Sequence, residues 1–249
     1  MARKKVNPAH SDDLHAGGDA AFALAADPAT DAGAESTDLR VRMREDTISG
    51  VLAPGQRLKL DELRGRYNAS VGSLREALVQ LVSEGFVTAE SNRGFCVSMI
   101  SLKDLDDITN MRVDLERKAI TQSLQEGDDQ WEADLVAAYH MLTKAVGMHE
   151  SPVGRRIWWE RHNAFHEALV SACPSVWLLR FRETLFDHSH RYRTLAIQQS
   201  ASPGRLEEHR ELMEAALARD IGRTSGLIED HIRKTAENVR RWFVSQNYK

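Results

Sequence analysis

The sequence is short of the residues that staple small secreted folds. It has two cysteines in 249 residues. Cys96 and Cys173 stand too far apart to suggest a disulfide framework or a cysteine-rich zinc site. Both are expected to be buried and reduced, as in a cytosol. No apolar run approaches the roughly 18 residues that a membrane span needs. The basic start Met1-Ala2-Arg3-Lys4-Lys5 lacks the hydrophobic segment that a secretory signal carries after it. A soluble cytoplasmic protein with no membrane partner is therefore expected. Large charge of one sign is missing too. The formal net charge of −4 argues against a nucleic-acid binder held by bulk electrostatics.

What is present is ordinary globular material. Hydrophobic residues make up 42% and charged residues 28%, enough for one large domain or two modest ones. The charge is unevenly placed. Arg40, Arg42, Arg44, Arg57, Lys59, Arg64, Arg66, Arg75 and Arg93 make residues 37–99 slightly basic, with acids set among them. Such a local patch, doubled by dimerisation, suits specific binding to a phosphate backbone.

The most informative stretch runs from Ser70 to Val87. Leu74, Leu78, Leu81 and Val82 recur at helical spacing and Gly85 closes the helix. Upstream, Leu60 to Tyr67 reads as a shorter amphipathic helix, joined through Asn68-Ala69. Two helices across a tight turn make a helix-turn-helix. Residues 87–98 alternate as two short strands around a polar tip, which supplies the wing of a winged helix. A first helix is expected from Thr37 to Gly50, followed by a Pro54-Gly55 turn within Leu52–Leu58. Residues 1–36, rich in Ala, Asp and Gly, read as a disordered tail. Its Arg3-Lys4-Lys5 is read as a solvated terminus before a phosphate contact. From Leu102, with Ser101 as N-cap, breaks at Gly127-Asp128, Gly147 to Pro152, Pro174, Pro203-Gly204 and Asp220 to Gly222 divide the chain into about six helices. The fold class is mainly α: a tail (1–36), a winged helix-turn-helix (37–100) and an all-helical bundle (101–245).

The amino-terminal module resembles the GntR family of bacterial transcription regulators. The residues that carry the resemblance are Ile48 to Leu58, Leu74-Arg75-Glu76-Ala77-Leu78, Glu84-Gly85-Phe86-Val87 and Asn92-Arg93-Gly94-Phe95. The bundle is similar to the FCD effector domain of the FadR subfamily, and within it to the subgroup of carbon-starvation repressors. Here the residues are Met111-Arg112, Leu115-Glu116, Phe165-His166, Glu208-His209, Ala215 to Asp220 and His231. The resemblance covers about residues 37–245.

It implies operator reading by the start of the recognition helix and the wing tip: Ser70, Gly72, Ser73, Arg75, Arg93 and Gly94. Ser70 can cap the helix and meet a phosphate, and Arg75 can reach phosphate or a guanine edge. The bland alternative is that Arg75 pairs with Glu76 or Glu84 on a solvated face. Val71 and Asp61 stand where relatives carry arginines, so the operator need not match theirs. The resemblance also implies a divalent metal held by one Asp and three His. His166, His209 and His231 match the histidines. Position 162, one turn before His166, is His rather than Asp. Four neutral imidazoles suit zinc, nickel or copper before manganese or magnesium. His188 and His190, two apart, form no obvious metal pair.

The implied effector is a small organic acid, with Arg112 and Arg193 as anchors for its charge. Both arginines read equally as surface ion-pair partners. Trp158-Trp159 reads as packing. The expected activity is that of a homodimeric repressor on an inverted-repeat operator. A metal-responsive regulator, with the ion itself as signal, is the alternative. A metal-dependent hydrolase lacks support: there is no His-Glu-x-x-His helix, no Gly-x-Ser-x-Gly turn and no glycine-rich phosphate loop.

Overall fold

The computed structural model describes residues 28–90, 94–148, 151–196 and 205–246. Its amino-terminal unit comprises α1 (Pro28–Ile48), β1 (Arg57–Leu58), α2 (Leu60–Tyr67), α3 (Val71–Ser83), β2 (Val87–Glu90) and β3 (Gly94–Val97). The tail expected through residue 36 overlaps α1, which starts at Pro28. Proline is pre-organised for a first helical position, and the alanines at 29, 32 and 34 favour continuation. Residues 1–27, Arg3-Lys4-Lys5 among them, lie outside the described residues.

The helix-turn-helix and wing form where the sequence predicts them. Asn68 takes the left-handed conformation, φ 50°, that closes α2. Gly85, φ +81°, closes α3. Its N–H donates to Val82 O and that of Phe86 donates to Leu81 O. This double bond pattern satisfies the last carbonyls of α3 and turns the chain into the wing. The sheet has the order β1-β3-β2, antiparallel throughout. Strand β1 departs from expectation, since residues 52–58 read as a turn. Only Arg57 and Leu58 pair, opposite Cys96 and Phe95, and two residues carry no readable alternation. Leu39, Met43, Leu63, Leu74, Leu78 and Phe86 fill the core beneath.

The bundle comprises α4 (Leu102–Glu126), α5 (Asp129–Thr143), α6 (Pro152–Val170), α7 (Val176–Ala196), α8 (Arg205–Leu217) and α9 (Ile221–Ser245). Helix starts are set by side-chain caps. Ser101 accepts from Asp104 N, Asp128 from Trp131 N, Ser151 from Gly154 N and Asp220 from Arg223 N. Each satisfies an otherwise orphan N–H. Ile120, Leu135, Phe165, Leu212 and Ile228 centre the bundle core. A second cluster, with Leu105, Tyr192, Val239 and Phe243, binds α4, α7 and α9 near the winged helix. No helix among the described residues is long and apolar enough to cross a membrane.

Candidate functional site

Two regions collect the predicted residues. At the tip of the winged helix, Ser70 caps α3 by accepting from Ser73 N at 3.1 Å, and the two hydroxyls lie 2.9 Å apart. Gly72 is exposed, and a Cβ there would meet only Ser70 Oγ, at 3.6 Å. The helix start is thus open to a close approach. Arg75 is exposed and makes no ion pair among the described residues. Glu84, one of the two acids considered for Arg75, instead binds Arg40 at 2.6 Å and Arg44 at 3.3 Å. Gly94, φ +79°, opens β3 at the wing. Arg93 lies outside the described residues. Val71 and Asp61 flank this surface without a donor to offer.

Arg57 and Lys59 belong to the expected basic patch, though not to the residues expected to read the operator. They sit either side of buried Leu58, so strand alternation puts both on the exposed face. They share an open cleft of about 670 Å³ with Arg75, Val79 and Gly94.

The second region is inside the bundle. Helix α6 carries His162 and His166 one turn apart, α8 carries His209 and α9 carries His231. All four are buried, and one ligand atom from each lies within 4.8 Å of the others. His162 Nε2 and His166 Nε2 are 3.2 Å apart. Two nitrogens at zinc-bond length from a tetrahedral ion would sit about 3.3 Å apart. Burial pushes the His162 and His166 imidazoles well below their usual range, and the neighbouring histidines and arginines add to it. They are therefore neutral at pH 7, the form that ligates metal. His231 Nδ1 meets Glu208 Oε2 at 2.9 Å, an arrangement that fixes the orientation of the ring. The Nδ1 atoms of His162 and His166 have no hydrogen-bond partner among the described residues.

A small cavity, about 20 Å³, adjoins the histidines and is bounded by Arg112, Trp159, Ser189, His190, Arg193 and Thr235. That is room for about one water. Neither arginine is a surface residue. Arg112 Nη1 donates to Ser189 Oγ at 2.9 Å, and Nη2 to buried Glu116 at 3.2 Å. Arg193 is 8% exposed and lies over Trp158 and Trp159, with its Cζ 4.8 Å and 5.3 Å from the ring centres. The surface ion-pair reading of both therefore fails, because α4 and α7 turn these positions inward. Trp158 packs on the bundle core as expected. Trp159 does more: its ring stacks on His190 at 3.3 Å and walls the cavity. His188 and His190 point to opposite sides of α7, so they form no metal pair.

Residues 36–97 match the model of the bacterial regulatory proteins of the gntR family, and residues 107–234 match the FCD domain. The chain is 40% identical over 204 residues to the HTH-type transcriptional regulator BphR of Paraburkholderia xenovorans, covering 81% of this chain and 83% of BphR. The chain belongs to the GntR family. It is also 36% identical to the HTH-type transcriptional repressor GlaR of Escherichia coli, over 76% of this chain and 89% of GlaR. Among solved structures, McbR/YncC of E. coli superposes with a TM-score of 0.71 at 19% identity, over 84% of this chain and 98% of that one. A putative GntR regulator from Rhodococcus sp. RHA1 gives 0.68 at 17% identity, over 84% and 98%. These structures share the fold. The protein is a DNA-binding transcriptional regulator and not an enzyme.

In this GntR-family chain the resemblance pointed to three of the histidines and helical spacing to His162, but neither pointed to the groups that support them. Glu116 accepts from Arg182 Nε at 2.8 Å, while Arg182 Nη2 donates to His166 O at 3.0 Å. Spacing within one helix could not reveal this, because the partners sit on three helices. Glu208 was visible only as the neighbour of His209 in sequence. In space it serves His231 instead.

Proposed function

We propose that the chain is a repressor whose grip on operator DNA is released by a small organic acid bound in the bundle, with a divalent metal as part of the site. The observation that carries this reading is the convergence of four buried imidazoles beside a cavity walled by two buried guanidiniums. His162, His166, His209 and His231 would hold the ion, zinc or nickel before manganese given four nitrogen donors. Such an ion supplies a Lewis-acid position for a carboxylate oxygen. Arg112 and Arg193 supply positive charge nearby, and Ser189 and Thr235 supply hydroxyls. Ser70, Gly72, Ser73, Arg75 and Gly94, with Arg93, would read the operator, in the compartment that holds the DNA. The name repressor carried by GlaR supports the sign of regulation.

A homodimer would present two recognition helices to an inverted repeat. Trp177 and Phe181, 64% and 58% exposed on α7, offer an apolar face for the second copy. Sedimentation of Phe181→Glu beside the wild type tests this; an unchanged dimer would remove that face from the assembly.

The size of the cavity favours a second reading, in which the ion itself is the signal, since about 20 Å³ admits no acid without movement. One experiment separates the two. Operator is selected from a random duplex library, and its affinity is measured with metal-free protein, with Zn²⁺, and with Zn²⁺ plus a panel of mono- and dicarboxylates. Release by an acid only in the presence of metal supports the first reading. Release or tightening by Zn²⁺ alone supports the second. A library that yields no preferred sequence counts against both.

A further inference from the structure

Helix α7 is shared between the two sites, and its two faces divide cleanly. Phe186, Ser189, His190 and Arg193 face the cavity beside the histidines. Asp187, His188, Arg191 and Leu195 face the winged helix. The first set follows the i, i+3, i+4, i+7 spacing of one helical surface, and in the second His188, Arg191 and Leu195 recur at i, i+3 and i+7 with Asp187 beside them. A rotation or shift of α7 that follows a change in the cavity must therefore be felt on the other side.

What α7 touches there is the end of the recognition helix. The His188 ring lies flat on Phe86, with centroids 4.2 Å apart and planes within 7°. Its Nε2 is 2.7 Å from Glu84 O, the C-cap carbonyl of α3. A carbonyl only accepts, so Nε2 carries the proton and donates. Gly85 lies between these contacts, and a Cβ there would come within 3.4 Å of the His188 ring. Arg44 bridges Glu84 and Asp187, at 3.3 Å and 2.5 Å. Arg191 Nη2 donates to Ser98 O at 2.5 Å, at the foot of the wing. Gly50, just past the end of α1, also lies against α7: a Cβ there would stand 2.9 Å from Leu195 Cδ2.

We infer that His188 is a positioning residue for operator binding: it holds the carboxy-terminal end of the recognition helix against α7 and passes movement between the effector cavity and the DNA-reading surface. The link is short. Ser189, next in the chain, accepts from Arg112, and His190 stacks on Trp159. A ligand that engages Arg112 or displaces Trp159 breaks a contact of α7 within two residues of His188. Close packing transmits such a shift rather than absorbing it. The inference rests on the operator-binding reading above but not on the identity of the effector, because coupling between two sites is reciprocal. Binding at the DNA end must register in α7.

The test is hydrogen exchange on the full-length protein, with and without a duplex selected by the wild type from a random library. In the wild type, the duplex should slow exchange at the start of α3 and also in residues 186–194 of α7, the latter by about fivefold or more, the low end of usual coupling. In His188→Ala the slowing in α3 should persist while that in α7 falls towards one. His188→Gln, whose amide can still donate to Glu84 O, should restore much of it. A merely structural role would speed exchange in the variant equally with and without duplex, and would leave the ratio in α7 at its wild-type value. That result, or a wild type in which α3 responds and α7 does not, would overturn the inference. A wild type that binds no duplex at all would overturn the operator reading itself.

Discussion

Glu116 of α4 and Arg182 of α7 meet at 2.8 Å with side chains 1% and 6% exposed. Burial alone would raise the Glu116 carboxyl. Arg182 and Arg112 outweigh that and hold it below the usual carboxylate range. The pair therefore stays ionised, and it ties Arg112, which borders the cavity, to His166 through Arg182. Removing one member of such a group strands buried charge. Glu116→Gln should cost about 3–5 kcal/mol of stability, read from denaturant midpoints. A loss below about 1 kcal/mol would mean that water reaches the pair.

The positions of these charges show where sequence reasoning stops. The recognition helix was legible because its apolar period, its Ser70 cap and its Gly85 stop are all local. The bundle was legible as helices for the same reason, and His166, His209 and His231 through resemblance, with His162 added by its place one turn before His166. The start of α1 was missed because the segment from Pro28 has almost no large apolar residues to mark a period. The placements of Arg112 and His188 depend on which face of a helix meets which neighbour across 77 or more residues of chain, and that of Arg193 on neighbours 34 and 35 residues away. No spacing within one helix encodes that.

The cleft beside α3 yields a prediction about DNA. Lys59 lies at the N-terminus of α2 and Arg57 on the same exposed face. Phosphate contacts set the salt dependence of binding without reading sequence. Arg57→Ala and Lys59→Ala should each flatten the slope of log affinity against log salt by about 0.9, and leave the selected sequence unchanged. Lys59 also pairs with Glu62 at 2.8 Å, so Glu62→Gln should strengthen binding. An unchanged slope in both single variants would place the backbone elsewhere.

Asp187, at the junction of the two domains, titrates out of its usual range. Burial raises its carboxyl to about 6, against the pull of Arg44 and with help from Glu183, Glu84 and Glu167. The folded state thus holds this proton more tightly than the unfolded chain, where an aspartate titrates near 3.8. Stability from the protonated form is fully present below pH 3.8 and is lost as pH rises through about 6. The loss amounts to roughly 3 kcal/mol. Asp187→Asn should remove this component, so its stability relative to wild type should rise between pH 4 and pH 7. Denaturant midpoints across that range measure it, and a constant difference would return Asp187 to an ordinary carboxylate.

Glu208 offers the sharpest test of the histidine site, because it touches no predicted ligand atom. It holds His231 by Nδ1 at 2.9 Å and also meets Lys234 at 3.3 Å. Its carboxylate is partly exposed and stays charged, with the hydrogen bond from His231 holding its carboxyl down at about 2. A carboxylate behind a ligating histidine fixes the tautomer and raises basicity, and its loss weakens metal binding about 10- to 100-fold. Glu208→Ala should therefore lower zinc affinity by that factor, measured by competition with a chromophoric chelator. His166→Ala should abolish tight binding, and Lys234→Ala should leave it unchanged. Equal zinc affinity in the wild type, Glu208→Ala and His166→Ala would mean that the four imidazoles form a polar core and not a metal centre. The buried guanidiniums of Arg112 and Arg193 would then be left as the groups that recognise an acid.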